Sequence, residues 1–421
     1  MFHRVDSTSM PRIVQERPSP PITKSNVTAL FAGIGGLELG LSSSGHTTTL
    51  LCEIDETAAA VLKNRFEDVP CVPDVRDRKK LLLNIDTASD LLTAGFPCTD
   101  LSQAGLTQGF AGKQSGLIVD VLDLLEERPF DSVLIENVPN WRVLHSGLYL
   151  RTVLDRLELL GYRWAYRIVD AMAFGLPQRR QRVFLFASKV RDPREVLFHG
   201  NQTPDEPEFC LRKAAHGFYW TEGNRGLGWG EDCVPTLKGG SGLGIPSAPA
   251  ILLPNGRVVT PDIRDAERLQ GFPAGWTRIA GATNGSQERK RWRLVGNAVN
   301  VEVARWIGKN LLTSRRFDGE VGVPLSDSGS LPNAAWFDGE RRYRVDLSPW
   351  PVRWARKSLA EFLRFPGKDL SYRATQGFYS RADQSSLRFV DGFLPAVKAH
   401  LERMRTIEAA AEIQRKDAVP A

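Results

Sequence analysis

Residues Val27–Ala32 form the apolar run VTALFA, which stops at Gly33-Ile34-Gly35-Gly36. A helix pattern follows through Leu37, Leu39 and Leu41 and ends near Gly45. Strand, glycine turn and helix in that order open the nucleotide-binding α/β folds. The glycine spacing is not G-x-G-x-x-G. Adjacent glycines let the backbone press against a ligand, and that ligand need not carry phosphate. A second strand, Thr48–Cys52, ends in Glu53, a position suited to binding both ribose hydroxyls. A third, Cys71–Val75, passes over Asp74, which can accept from an adenine amino group. Either acid alone reads as a surface carboxylate. The ordered set describes a nucleoside site without a phosphate cradle, which suits S-adenosylmethionine better than NAD.

A second stretch, Asp90–Gln103, carries a candidate nucleophile. Leu91, Leu92 and Ala94 read as the end of a buried strand, which breaks at Gly95-Phe96-Pro97. Cys98 follows at once, ahead of a polar segment with Gly105, Gly109 and Gly112 as hinges. A cysteine on a strand-to-loop turn under a mobile loop is how a thiol nucleophile would be placed. The plainer alternative is a buried structural thiol. Further along, the strand Asp131–Ile135 ends in Glu136-Asn137-Val138-Pro139, on the same sheet edge as Cys98 if the sheet is parallel. The helix Tyr149–Leu160 closes at Gly161, and the strand Trp164–Val169 follows. Gln178-Arg179-Arg180-Gln181-Arg182 then runs into the strand Val183–Ala187, with Arg180 and Arg182 on one face.

The chain has 421 residues, net charge +6 and a pI near 9.1, which favours a polyanionic partner only slightly. Its five cysteines, at 52, 71, 98, 210 and 233, show no metal-type spacing, so a reduced cytoplasmic compartment and no metal site are expected. No run reaches membrane-span length. The proline-bearing residues 1–25 are expected to be disordered.

Six blocks together resemble the bacterial-type DNA (cytosine-5)-methyltransferases. Phe31-Ala32-Gly33-Ile34-Gly35-Gly36 resembles the family's cofactor motif, and Gly95-Phe96-Pro97-Cys98 its nucleophile motif. Glu136-Asn137-Val138 matches its E-N-V block, and residues 178–182 its Q-x-R-x-R block. Arg264–Pro273 and Val295–Ala304 complete the order. One departure is Thr99, where the family commonly has Gln after the cysteine.

The resemblance implies a Rossmann-like α/β methyltransferase domain with a smaller inserted target-recognition domain. Cys98, Glu136, Arg180 and Arg182 would be catalytic, with Arg180 supporting the thiolate and phosphates. Phe31, Gly33, Gly35, Gly36, Leu37, Glu53, Ile54, Asp74, Val75, Pro97, Leu117, Asn297 and Val299 would bind S-adenosylmethionine. The catalytic domain would span 26–187 and the recognition region 188–263. Residues 264–312 would return to complete the cofactor sheet beside the first strand, with a helix over Val299–Ile307. Residues 313–421 form an extension with a linker, Ser314–Asn333, a tryptophan-containing part and a terminal helix, Leu394–Arg415. Its role stays open between added DNA contacts and packing on the small domain. The expected substrate is a flipped cytosine in a specific duplex DNA sequence, in a restriction-modification or other anti-phage system. A cognate endonuclease or other defence proteins would act on the same site. A tRNA cytosine methylase shares these motifs, and a catalytically inactive DNA-binding relative is the non-enzyme alternative.

Overall fold

The computed structural model describes residues 24–96, 116–204, 211, 213–222, 228–240, 248–281, 286–313, 316–326 and 328–417. The parallel strands β1 (Asn26–Leu30), β2 (Thr47–Cys52), β3 (Cys71–Val72), β4 (Leu91–Ala94) and β5 (Ser132–Asn137) lie in the order β3-β2-β1-β4-β5. The antiparallel strands β6 (Arg163–Asp170) and β7 (Gln181–Ser188) follow, with β7 between β5 and β6. All six residues of β5 are buried, as expected for a strand covered on both faces.

Helices α1 (Gly36–Ser42), α2 (Glu56–Arg65), α3 (Arg78–Asn84), α4 (Gly116–Glu127) and α5 (Leu148–Leu159) connect these strands. Asp55 caps α2, its Oδ1 accepting from the N–H groups of Thr57 at 2.9 Å and Ala58 at 3.0 Å. The third strand is shorter than expected. It stops at Val72 because Pro73 offers no N–H to the ladder, so Asp74 and Val75 lie in the turn that follows.

After the short helix α6 (Arg194–Leu197), a second sheet forms from β8 (His216–Phe218), β9 (Trp229–Glu231), β10 (Ala250–Leu252) and β11 (Val258–Thr260). The chain then makes α7 (Ile263–Leu269), α8 (Ser286–Asn297) and α9 (Val301–Leu311). This return adds no strand beside β1, contrary to expectation. The two edges of β1 are already taken by β2 and β4. The return supplies α9 instead, whose apolar face packs on α1 with Leu37, Leu41, Val303, Ala304 and Ile307 in one core. Asn300 caps α9 through the N–H of Glu302 at 3.0 Å, so the helix starts two residues later than expected.

The last hundred residues serve both sheets. Strands β12 (Val323–Pro324), β13 (Ala334–Phe337) and β14 (Arg342–Val345) extend the large sheet, β13 pairing antiparallel with β6. The chain then crosses to the small domain, where Arg356 meets Asp232 at 3.0 Å. There α10 (Leu359–Phe362) precedes β15 (Lys368–Asp369), which pairs with β11. Helices α11 (Tyr372–Asp383) and α12 (Phe393–Asp417) cover the second sheet through Phe378, Phe393 and Val397. Among the described residues, no helix is long and apolar enough to cross a membrane.

Candidate active site

A cavity of about 540 Å³ opens at the carboxyl ends of β1, β2, β4 and β5. Ligands in open α/β sheets bind at that edge. Of the expected residues, Phe31, Gly33, Glu53, Ile54, Asp74, Val75, Leu117, Glu136, Arg182, Asn297 and Val299 line it. Pro97 and Cys98 lie outside the described residues, which end at Phe96 just before them in sequence.

The glycine turn divides its work residue by residue. Phe31 stands in the left-handed region at φ 53°, which is strained for a residue with a side chain. Gly33, at φ 57°, donates its N–H to Glu53 Oε2 at 2.8 Å, and Asp55 N–H donates to Glu53 Oε1 at 2.7 Å. Each Glu53 oxygen thus holds one backbone donor and keeps acceptor capacity toward the cavity. Burial raises the Glu53 carboxyl above its ordinary value, and those two N–H groups oppose the shift. Gly35, Gly36 and Leu37 do not line the cavity. Gly35 takes φ 85° at the start of α1, where a Cβ would strike Phe66. A Cβ on Gly36 would collide with the Val299 carbonyl. Leu37 belongs to the core under α9.

Asp74 is a rim carboxylate rather than a strand end. Arg76 grips it twice, Nε to Oδ1 at 3.0 Å and Nη2 to Oδ2 at 2.8 Å. Those bonds hold the Asp74 carboxyl below its usual range.

At the inner end, Glu136 and Arg182 form an ion pair of 3.0 Å with both side chains largely buried. The pairing follows from topology, because β5 and β7 are antiparallel neighbours and Asn137 stands opposite Val183. Burial pushes the Glu136 carboxyl up, against the charges of Arg182 and Arg180. Such a pair presents a proton-sharing acid beside a fixed cationic donor, enough to grip a polar ring edge. Arg180 takes a different place from the one expected. Its fully buried guanidinium donates to the carbonyls of Leu237 at 3.0 Å, Gly296 at 3.2 Å and Ala298 at 2.7 Å. It ties the small domain to the return segment instead of facing the cavity, because those three carbonyls converge on it where the chain enters β7.

Three further residues shape the site. Asn137, named in the E-N-V block without a role, donates its Nδ2 to the Phe96 carbonyl at 3.3 Å and so steadies the turn leading to Cys98. Trp141, packed edge-on against Phe96 with ring centroids 5.4 Å apart, supports the same turn. Trp276 donates its indole N–H to the Ile34 carbonyl at 2.8 Å, bracing the glycine turn from 242 residues away. Nothing local in the sequence marks Trp276. Among the described residues, no cluster of His, Cys, Asp and Glu could hold a metal ion.

Comparison with known proteins agrees with this geometry. Residues 25–213 match the family described as C-5 cytosine-specific DNA methylase. The Type II methyltransferase M2.BsuMI of Bacillus subtilis is 43% identical over 392 residues, covering 90% of this chain and 98% of that protein. The Type II methyltransferase M.DsaV of Dactylococcopsis salina is 28% identical over 316 residues, covering 68% of this chain and 85% of that protein. A solved structure of the S. pombe Dnmt2 methyltransferase superposes with a TM-score of 0.50 at 17% identity, over 69% of this chain and 98% of that one, and so shares the fold.

Proposed function

The chain belongs to the C-5 cytosine-specific DNA methylases, and from that premise we propose how its residues share the reaction. The enzyme is a DNA cytosine-5 methyltransferase. Its substrate is a cytosine swung out of a specific duplex sequence, since a stacked base hides its C5 and C6. The names of the relatives support a place in a Type II restriction-modification system, with a cognate endonuclease acting on the same site.

Cytosine C5 is a poor nucleophile. The Cys98 thiolate adds at C6, and the ring becomes an enamine with its electron density at C5. Glu136, holding or sharing a proton, bonds N3 and the exocyclic amine, while Arg182 holds O2. Together they offset the charge that addition places on the ring. Once a methyl group has bonded to C5, the C5 proton leaves, the C5–C6 double bond re-forms and Cys98 is expelled from C6. S-adenosylmethionine supplies the electrophilic methyl group. The cavity suits it chemically: Glu53 keeps acceptor capacity for a ribose, and a Cβ built on Gly33 would meet nothing within 4 Å. Phe31, Ile54, Asp74, Val75, Leu117, Asn297 and Val299 would line its seat.

The observation that carries this reading is the buried Glu136–Arg182 pair, one strand over from the turn that runs into Cys98. Duplex DNA with 5-fluorocytosine at the target should trap a covalent complex, because fluorine cannot leave as the proton does. Cys98→Ser should form none and transfer no methyl group, while still binding the cofactor. A denaturing gel with duplex DNA and tRNA decides it. Trapping on tRNA alone, or by the Ser variant, would reject the reading.

A further inference from the structure

We propose that Arg293 gates the cofactor cavity: its ion pair with Asp55 closes the rim and slows exit of the nucleoside held there. This rests on the cofactor site proposed above. Arg293 sits on α8 just before its last turn and Asp55 in the turn between β2 and α2, 238 residues apart in sequence. Both line the cavity, so their bond bridges its two walls. The Arg293 side chain is 49% exposed and that of Asp55 29%, which puts the bridge at the rim and not on the floor. The other rim pair, Arg76 with Asp74, joins residues two apart and bridges nothing.

The two partners differ in freedom. Asp55 is fixed, since Oδ1 caps α2 and its N–H donates to Glu53 Oε1. That places the rim pair one hydrogen bond from the carboxylate assigned to the ribose. Arg293 reaches across on a long, half-exposed side chain, while the turn beyond it is anchored by Arg180 through Gly296 and Ala298. The moving part is therefore one side chain between two rigid walls. An exposed ion pair is weak enough to open readily and strong enough to change a release rate several-fold. The gate should also yield to salt, which screens exposed pairs.

Release of S-adenosylhomocysteine, measured by stopped-flow displacement from the full chain, tests this. Wild-type release should quicken as salt rises from about 0.05 to 0.5 M. Arg293→Met should release about fivefold faster at low salt and lose the salt response, at an unchanged melting temperature. Arg293→Lys should fall between. Asp55→Asn keeps an oxygen to cap α2 and should match Arg293→Met, and the double variant should be no faster than either single one. Wild-type release rates in Arg293→Met, or additive effects in the double variant, would overturn the gate. No nucleoside binding by the wild-type protein in a calorimetric titration would overturn the cofactor site beneath it as well.

Discussion

Glu38 lies in the first turn of α1, fully buried, with Oε2 meeting no hydrogen-bond donor. The Glu38 N–H and the Thr93 hydroxyl on β4 oppose the cost of this burial only in part. Burial lifts the Glu38 carboxyl from 4.5 to about 7. The unfolded chain loses this proton near the ordinary value, whereas the folded chain keeps it up to about 7. The folded state therefore binds the extra proton in that window, and stability falls as pH rises through it, then levels off. Glu38→Gln should remove this slope and gain on the order of 3 kcal/mol at pH 8. Urea unfolding of both proteins from pH 5 to 8 measures it, and parallel curves would refute it. Glu136 is buried as well, yet it has Arg182 beside it. That contrast separates a carboxyl held in an ion pair at the cavity from one buried with no cation beside it. The acid at the end of the E-N-V strand was legible in sequence because it ends an apolar run. The burial of Glu38 was not, because an acid in a first helical turn ordinarily faces water.

At the scale of elements, α1 and the return segment meet through glycine. Gly36 lies against the Val299 carbonyl, and Gly40 against Ala304 on α9. Val299 lines the cavity, so this contact sets the position of its wall. Gly36→Ala should therefore cost roughly 1–3 kcal/mol of stability by overpacking. It should also weaken cofactor binding measured by calorimetry, whereas a loss of stability with unchanged affinity would separate the packing from the site. The glycines were visible as a turn from their spacing alone. That Gly36 faces a segment more than 260 positions later was not, because a glycine needed for close approach and one needed for a left-handed φ look alike in sequence.

For the whole molecule, the small domain depends on the chain's far end. Phe393 of α12 is fully buried among Phe218, Trp229 and Phe389, with centroids 5.4, 5.4 and 5.0 Å away. Phe393→Ala should cost about 3–5 kcal/mol within that cluster. Because the cavity lies on the other sheet, cofactor affinity should survive while DNA binding is lost. Paired titrations with cofactor and with duplex DNA check this, and equal losses in both would show the two sheets to fold as one unit.

Apolar runs ending in glycine or an acid were enough to place β1, β2, β4 and β5 and to bring Glu53 and Glu136 to strand ends, since both signals act within a few residues. Tertiary structure alone decided the rest. It put α9 rather than a strand beside β1's helix, because β1 had no free edge. It spent Arg180 on three carbonyls from two distant segments and joined Arg293 to Asp55 across the cavity. It also split the final hundred residues between two sheets, adding β13 to β6 and laying α12 on the small domain. Each of these depends on which distant surface lies open once the local elements have formed, and a local pattern carries no record of that.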